Sequence, residues 1–157
     1  DYELAPFSEA SVGNTPPAVG IEENGNRVRG PVSVTLGERT VKVDTPLRLD
    51  LWTEDDAKWV SNSGAKPKVM PPPVVLHVKK YRGPGDVTFG KDKPEIQSVV
   101  RNDAKASVFN GKASTTAIFS EPGEYILHID ATDYSGEGGA GFQCCWTDAQ
   151  MKVTVTK

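Results

Sequence analysis

An antiparallel β-sandwich is the fold class predicted for this 157-residue chain, on three observations. The stretch Phe119 to Thr132, FSEPGEYILHIDAT, joins a Pro122-Gly123 turn, a tyrosine and an alternating strand in one fixed order. Several other short segments alternate apolar and polar residues with period two, as half-buried strands do. The 15 glycines and 12 prolines punctuate those segments as turns, and no amphipathic helical period or internal repeat is visible.

Taken in order, residues 1–15 are polar and small and read as a tail or linker, leaving 16–157 as the sandwich domain. Asn14 to Gly20, NTPPAVG, is a polyproline lead-in to a first edge strand. Val32 to Leu36 and Thr40 to Val43 alternate about Gly37 and predict a hairpin or a pair of short edge strands. Leu47, Leu49 and Leu51 share one face of a core strand. Thr53 to Pro73 has no period and predicts a long loop, a length that is uncommon inside a compact domain unless the loop is functional or mobile. Its Trp59 is a candidate contact residue; the plainer reading has Trp59 covering a sheet edge. Val74, Leu76 and Val78 then point inward from a strand whose outward residues are Val75, His77 and Lys79. A turn at Gly83-Pro84-Gly85 leads to a short Val87 to Phe89 strand, and Lys91 to Asn110 predicts irregular strand.

Gly111 is expected to end that segment, after which Ala113, Thr115, Ala117 and Phe119 face one side of the next strand. Tyr125, Leu127, Ile129 and Ala131 alternate with Glu124, Ile126, His128 and Asp130. A ring buried at Tyr125, with its hydroxyl bonded back to the connecting backbone, would fix this corner, which makes Pro122, Gly123 and Tyr125 the fold-defining residues. A glycine-rich hairpin from Gly136 to Trp146 follows, and a last strand places Met151, Val153 and Val155 inward.

The composition bounds the function. The net charge of -3 comes from interspersed residues, with no like-charge run longer than Glu54-Asp55-Asp56, so there is no electrostatic footprint for nucleic acid or an anionic membrane. No stretch approaches the roughly 18 apolar residues of a transmembrane helix. The chain begins at Asp1, and the expectation is an exported protein (periplasmic, cell-surface or extracellular) whose leader has been removed.

The order of core strand, long loop, KYRGPGDVTF, strand, FSEPGEYILHIDATD, hairpin and terminal MKVTVT resembles the PKD-like and immunoglobulin-like modules of bacterial exported proteins. The resemblance covers residues 16–157, and none of its specific elements is catalytic: the NTPP lead-in, Glu121 to Tyr125, and Met151 to Thr156. It implies an immunoglobulin-like sandwich with a long B–C loop, serving as a spacer, assembly or accessory module. The Thr53 to Pro73 insertion and the Gly136 to Trp146 hairpin are not part of the generic module, so distinctive function is expected there.

Cys144 and Cys145 are the two cysteines, and their adjacency excludes a staple between distant segments. Three readings stay open: a vicinal disulfide, two reduced thiols with one buried, or a metal or redox role. Phe142 and Trp146 would share a face with Cys144 and are candidate partner or ligand contacts. His77 and His128 fall on outward positions of neighbouring strands, where they could meet a partner or, with Lys152 beside them, a metal. Two imidazoles make a poor metal site, and ordinary surface histidines are the simpler reading. The acidic residues Glu54, Asp55 and Asp56, with Asp130, Asp133 and Glu137, lack EF-hand spacing and read as solvated strand ends. Trp52, Trp59, Trp146, Tyr81 and Tyr134 could form a glycan-stacking platform or simply cap sheet edges.

No GxSxG, HExxH, phosphate loop or dinucleotide fingerprint is present. The expectation is therefore a non-catalytic structural or protein-binding module of an exported protein or multi-subunit complex. It would act through its surface loops and tail, by partner binding or self-assembly, with no cofactor and no resident metal. Two alternatives stand beside it: a carbohydrate-binding accessory module, and a metal-binding or redox protein using Cys144 and Cys145 or His77 and His128.

Overall fold

A computed structural model describes residues 13–31, 33–59, 66–100, 109–134 and 145–157. Among them are nine strands and no helix: β1 (Ala18–Gly20), β2 (Val34–Lys42), β3 (Leu47–Asp55), β4 (Val75–Arg82), β5 (Val87–Phe89), β6 (Gln97–Ser98), β7 (Phe109–Phe119), β8 (Gly123–Thr132) and β9 (Trp146–Thr156). One sheet has the order β1-β3-β7-β5, with β6 also on β7, and the other has the order β2-β9-β8-β4. Every pairing is antiparallel except β2 with β9, which is parallel.

The two sheets meet through the inward residues of their alternating strands. Leu49 and Leu51 of β3 and Ala113, Ala117 and Phe119 of β7 face Leu76 and Val78, the alternate residues Tyr125, Leu127, Ile129 and Ala131, and Ala149, Met151, Val153 and Val155, all buried. Each strand thus buries alternate side chains and presents the intervening ones to the outside, as period two requires.

Four local expectations are corrected. Val34 to Lys42 is one strand and not a hairpin, because a register shift between Thr35 and Gly37 absorbs the irregularity and keeps the strand paired to β9. Thr53 to Asp55 belongs to β3 and not to a loop, since Thr53 pairs Gly111 and Asp55 pairs Phe109. Gly111 lies inside β7, where a Cβ would meet Ile96 at 2.4 Å, so glycine there admits a close neighbour and does not end the strand. Trp146 is the first residue of the eleven-residue β9, continuous with Met151 to Thr156.

At the β7–β8 corner the Tyr125 ring is 1% exposed and packs edge-on against Phe119 at 4.8 Å. Its hydroxyl donates to the Glu121 carbonyl at 2.8 Å and accepts from the Gly85 amide at 3.0 Å. Gly83, with φ of +145°, lies against the ring, where a Cβ would come within 2.1 Å of it. Gly123 of the turn has φ of +142° and packs on Pro84, where a Cβ would lie 2.8 Å away. One side chain therefore joins two connections across the sheets. Tyr125→Phe should lower unfolding free energy by about 1–3 kcal/mol in urea denaturation, because the buried Gly85 N–H loses its acceptor. An unchanged midpoint would show that the hydroxyl does not hold the corner.

Candidate functional site

Two places in the fold gather polar side chains. The first is the outer face of the β4-β8-β9 sheet, whose register arranges outward residues in cross-strand rows. Val75, Thr132 and Trp146 form one row; His77, Asp130 and Asp148 the next; Lys79, His128 and Gln150 a third. Val75, His77, Lys79, Asp130, Thr132, Trp146 and Asp148 line an open concavity of about 450 Å³.

Ion pairs and hydrogen bonds lock this face. Lys79 pairs with Asp130, His77 Nε2 lies 3.5 Å from Asp92 Oδ2, and the Ser33 hydroxyl donates to Asp148. His128 stacks on Tyr81 at 4.2 Å, near-parallel. The Gln150 amide nitrogen lies 3.0 Å from His128 Nε2, and His128 Nδ1 lies 3.6 Å from Asp148 Oδ1. The ligand atoms of His128, Asp130 and Asp148 lie within 4.8 Å of one another. The two histidines sit diagonally across β4 and β8, and each faces a carboxylate and not the other imidazole.

The second place is the pole where the chain reaches β1. Asp55 ends β3 facing inward at 0% exposure, and Asp133, just after β8, is also buried. Asn14 is buried beside them, and its amide nitrogen donates to Asp133 Oδ2 at 2.6 Å. Asp55 Oδ2 accepts the Ala57 amide at 2.7 Å, with Ala57 at φ of +55°. The buried Thr147 hydroxyl donates to the Pro17 carbonyl and accepts the Gly30 amide at 2.9 Å.

Outside this buried set, Asp56 Oδ2 accepts from the Thr15 amide and hydroxyl, and Lys58 Nζ donates to the Gly13 carbonyl at 2.6 Å. Desolvation pushes the Asp55 carboxyl up to about 7; the Ala57 amide opposes the shift, the Asp56 and Asp133 charges add to it, and Arg29 opposes it. Burial, and next the Asp55 charge, also raise the Tyr134 hydroxyl, which donates to the Pro71 carbonyl at 2.8 Å.

The sequence-predicted residues divide among these places. His77, His128 and Trp146 share the outer face. Trp59 lies at the pole, 5.1 Å from the Tyr134 ring. Pro122, Gly123 and Tyr125 form the corner. Cys145 is buried and disulfide-bonded, its sulfur 3.7 Å from the Asn14 carbonyl oxygen. Cys144, Phe142 and Glu137 lie outside the described residues. Trp52 is on the other sheet, under the Lys112 ammonium at 4.9 Å, so the tryptophans do not make one platform. Lys152 pairs with Glu38 at 3.5 Å. Sequence reasoning missed Asn14 and Asp148; the inward parity of Asp55 with Leu49 and Leu51 was the signal that could have flagged the pole.

Known proteins add little to this geometry. No family model and no curated protein matches the chain. Among solved structures it is similar to domains 4 and 5 of the S-layer protein SbsC, at TM-score 0.39 and 11% identity over 84% of this chain and 48% of that one. WR4, a C. elegans MSP family member, is similar at TM-score 0.42 and 12% identity over 76% and 92% of the two chains. A family 123 glycoside hydrolase from Clostridium perfringens is similar at TM-score 0.39 and 10% identity over 88% and 27%. The chain thus spans about half of the S-layer fragment and about a quarter of the hydrolase. The two-layer architecture rests on the strand pairings themselves.

Asp55 makes a pH dependence that can be read directly. Its folded value near 7 exceeds the ordinary 3.8, so the folded state holds the proton more tightly than the unfolded chain. This group's contribution to stability is fully present below about 4, is lost as the pH rises towards 7, and changes no further above it. Urea midpoints at pH 5 and pH 8 should therefore differ less in Asp55→Asn than in the unaltered protein. Equal pH slopes in the two proteins would show that Asp55 titrates normally.

Proposed function

We propose that this chain is a non-catalytic, immunoglobulin-like binding module of an exported protein, and that the outer face of the β4-β8-β9 sheet is its protein-contact surface. The observation that carries the reading is the pairing of an apolar rim with a charge-balanced floor. Val75 is 44% exposed and Trp146 37% exposed in the same row, beside the His77, Asp130 and Asp148 row. An exposed tryptophan next to oriented, mutually paired polar groups is the composition of an interface centre with a polar surround. Most of the polar groups here have partners, Lys79 with Asp130, His77 with Asp92 and Asp148 with Ser33, and on this reading they supply orientation and specificity and not a reactive group.

The strand order supports the immunoglobulin-like assignment, because β1 pairs with β3 in one sheet while β2 runs parallel to β9 in the other. Export is supported by the disulfide at Cys145, since disulfides persist in oxidising compartments. The chain's other cysteine is Cys144, and we read the bond as the vicinal one. Among the described residues no helix is long and apolar enough to cross a membrane.

A photo-crosslinking amino acid placed at Val75 or Trp146 in cells should trap a protein adduct, and the same group at Arg48, exposed on the opposite sheet, should not. Adducts at Arg48 alone would move the contact surface to the other sheet. Intact mass after alkylation should be unchanged without reduction and should gain two alkyl groups after it; two groups gained by the native protein would remove the support for export.

A further inference from the structure

The geometry points to a site for a hard divalent cation of the calcium class at the pole, held by the side-chain oxygens of Asn14, Asp55 and Asp133. This site is separate from the contact surface proposed above. Two oxygens there are shielded from solvent and have no hydrogen-bond partner: Asp55 Oδ1 and Asn14 Oδ1. They belong to residues 0% and 7% exposed. The orientation of the Asn14 amide is set by its nitrogen, which donates to Asp133 Oδ2 at 2.6 Å and leaves the amide oxygen buried without a partner.

Buried polar atoms in folded proteins have partners, and a buried carboxylate oxygen without one is costly. A hydrogen-bond donor among the neighbouring side chains would satisfy these oxygens, but three of the local hydroxyls are committed, and the buried Thr53 hydroxyl bonds to neither oxygen. The Thr147 hydroxyl donates to Pro17, the Thr15 hydroxyl and amide serve Asp56, and the Tyr134 hydroxyl serves Pro71. Charge argues in the same direction. Asp55 faces Asp56 and Asp133, with Arg29 opposing, and Arg29 itself lies 3.9 Å from Glu54. A water could donate to two oxygens but would leave two carboxylates facing each other; a divalent cation satisfies the oxygens and neutralises the charge together. Calcium accepts carboxylate and amide oxygens in irregular geometry and completes its shell with water, which suits a three-residue set drawn from distant segments.

The outer-face group of His128, Asp130 and Asp148 is the weaker candidate. A cation there could use Asp148 Oδ1, which also has no hydrogen-bond partner, but would have to displace the Lys79 ammonium from Asp130. At the pole the Asp55 and Asn14 oxygens have no hydrogen-bond partner to give up. A bound ion would tie the chain entering at Asn14 to the end of β3 and the end of β8, fixing how the preceding segment leaves the sandwich.

The experiment uses the full chain, dialysed against EDTA and then into chelator-free buffer. Addition of 10 mM CaCl2 should raise the thermal midpoint by roughly 5–10 °C if the dissociation constant is near 10⁻⁴ M. Terbium should give luminescence sensitised by Trp59, and calcium should compete it away. Asp55→Asn and Asp133→Asn should each lose both responses while keeping the far-UV circular dichroism of the folded chain, and Asp130→Asn should keep them.

No midpoint shift and no calcium-competed terbium signal in the unaltered protein overturns the site, leaving Asp55 a protonated acid or a water-bridged one. Responses retained in Asp55→Asn, or lost in Asp130→Asn alone, overturn it as well, the latter by moving the ion to the outer face. Should either pole variant fail to fold, the terbium titration of the unaltered protein still decides.

Discussion

The antiparallel register of β8 with β9, running from Gly123 opposite Val155 to Thr132 opposite Trp146, is the constraint on which the rest of the molecule depends. It is a ten-residue ladder, and β4 and β2 attach to its two flanks. Period two makes the register absolute: a slip of one residue would turn Leu127, Ile129, Met151 and Val153 out to solvent and bring His128, Asp130 and Lys152 into the core. The Tyr125 corner fixes one end of that ladder by tying β8 to the chain before β5. The rows of the outer face, and the pole where Asp133 leaves β8, are consequences of the same alignment.

Much of this was legible in the sequence wherever apolar residues mark the inward parity without interruption. Val74 to Val78, Tyr125 to Ala131 and Met151 to Val155 lie as their alternation indicates. Legibility failed where the inward positions are polar. Thr53, Asp55 and Thr147 continue the inward parity of β3 and β9, but as polar residues they look like loop, so apolar alternation alone makes both strands shorter than they are. Gly111 failed for another reason: a glycine that admits the side chain of Ile96 is indistinguishable in sequence from one that ends a strand.

The candidate sites show the same division. The shared outer face of His77 and His128 followed from strand alternation, a local property. Their carboxylate partners did not, because Asp92, from the chain after β5, and Asp148, from β9, reach them only once the strands are assembled. The pole was less visible still. Asn14 and Asp133 are 119 residues apart in the chain and meet only because β1 joins β3 at the same end where β8 finishes. Acidic residues at two strand ends looked like solvated loops until the fold placed them at one end and buried them.

The parallel pair of β2 and β9 has a mechanical consequence. Val34 lies opposite Ala149 and Lys42 opposite Thr156, so the two strands start at one end of the sandwich and finish at the other. Tension applied between the chain before β2 and the chain after β9 pulls these strands along their length in opposite directions. The ladder between them is then loaded in shear, with its hydrogen bonds resisting together and not opening one after another as in an unzipping hairpin. In a module joined to its neighbours at both ends, pull from the N-terminal side meets the short β1–β3 pairing first and then this seam, where the β2–β9 ladder resists it in shear.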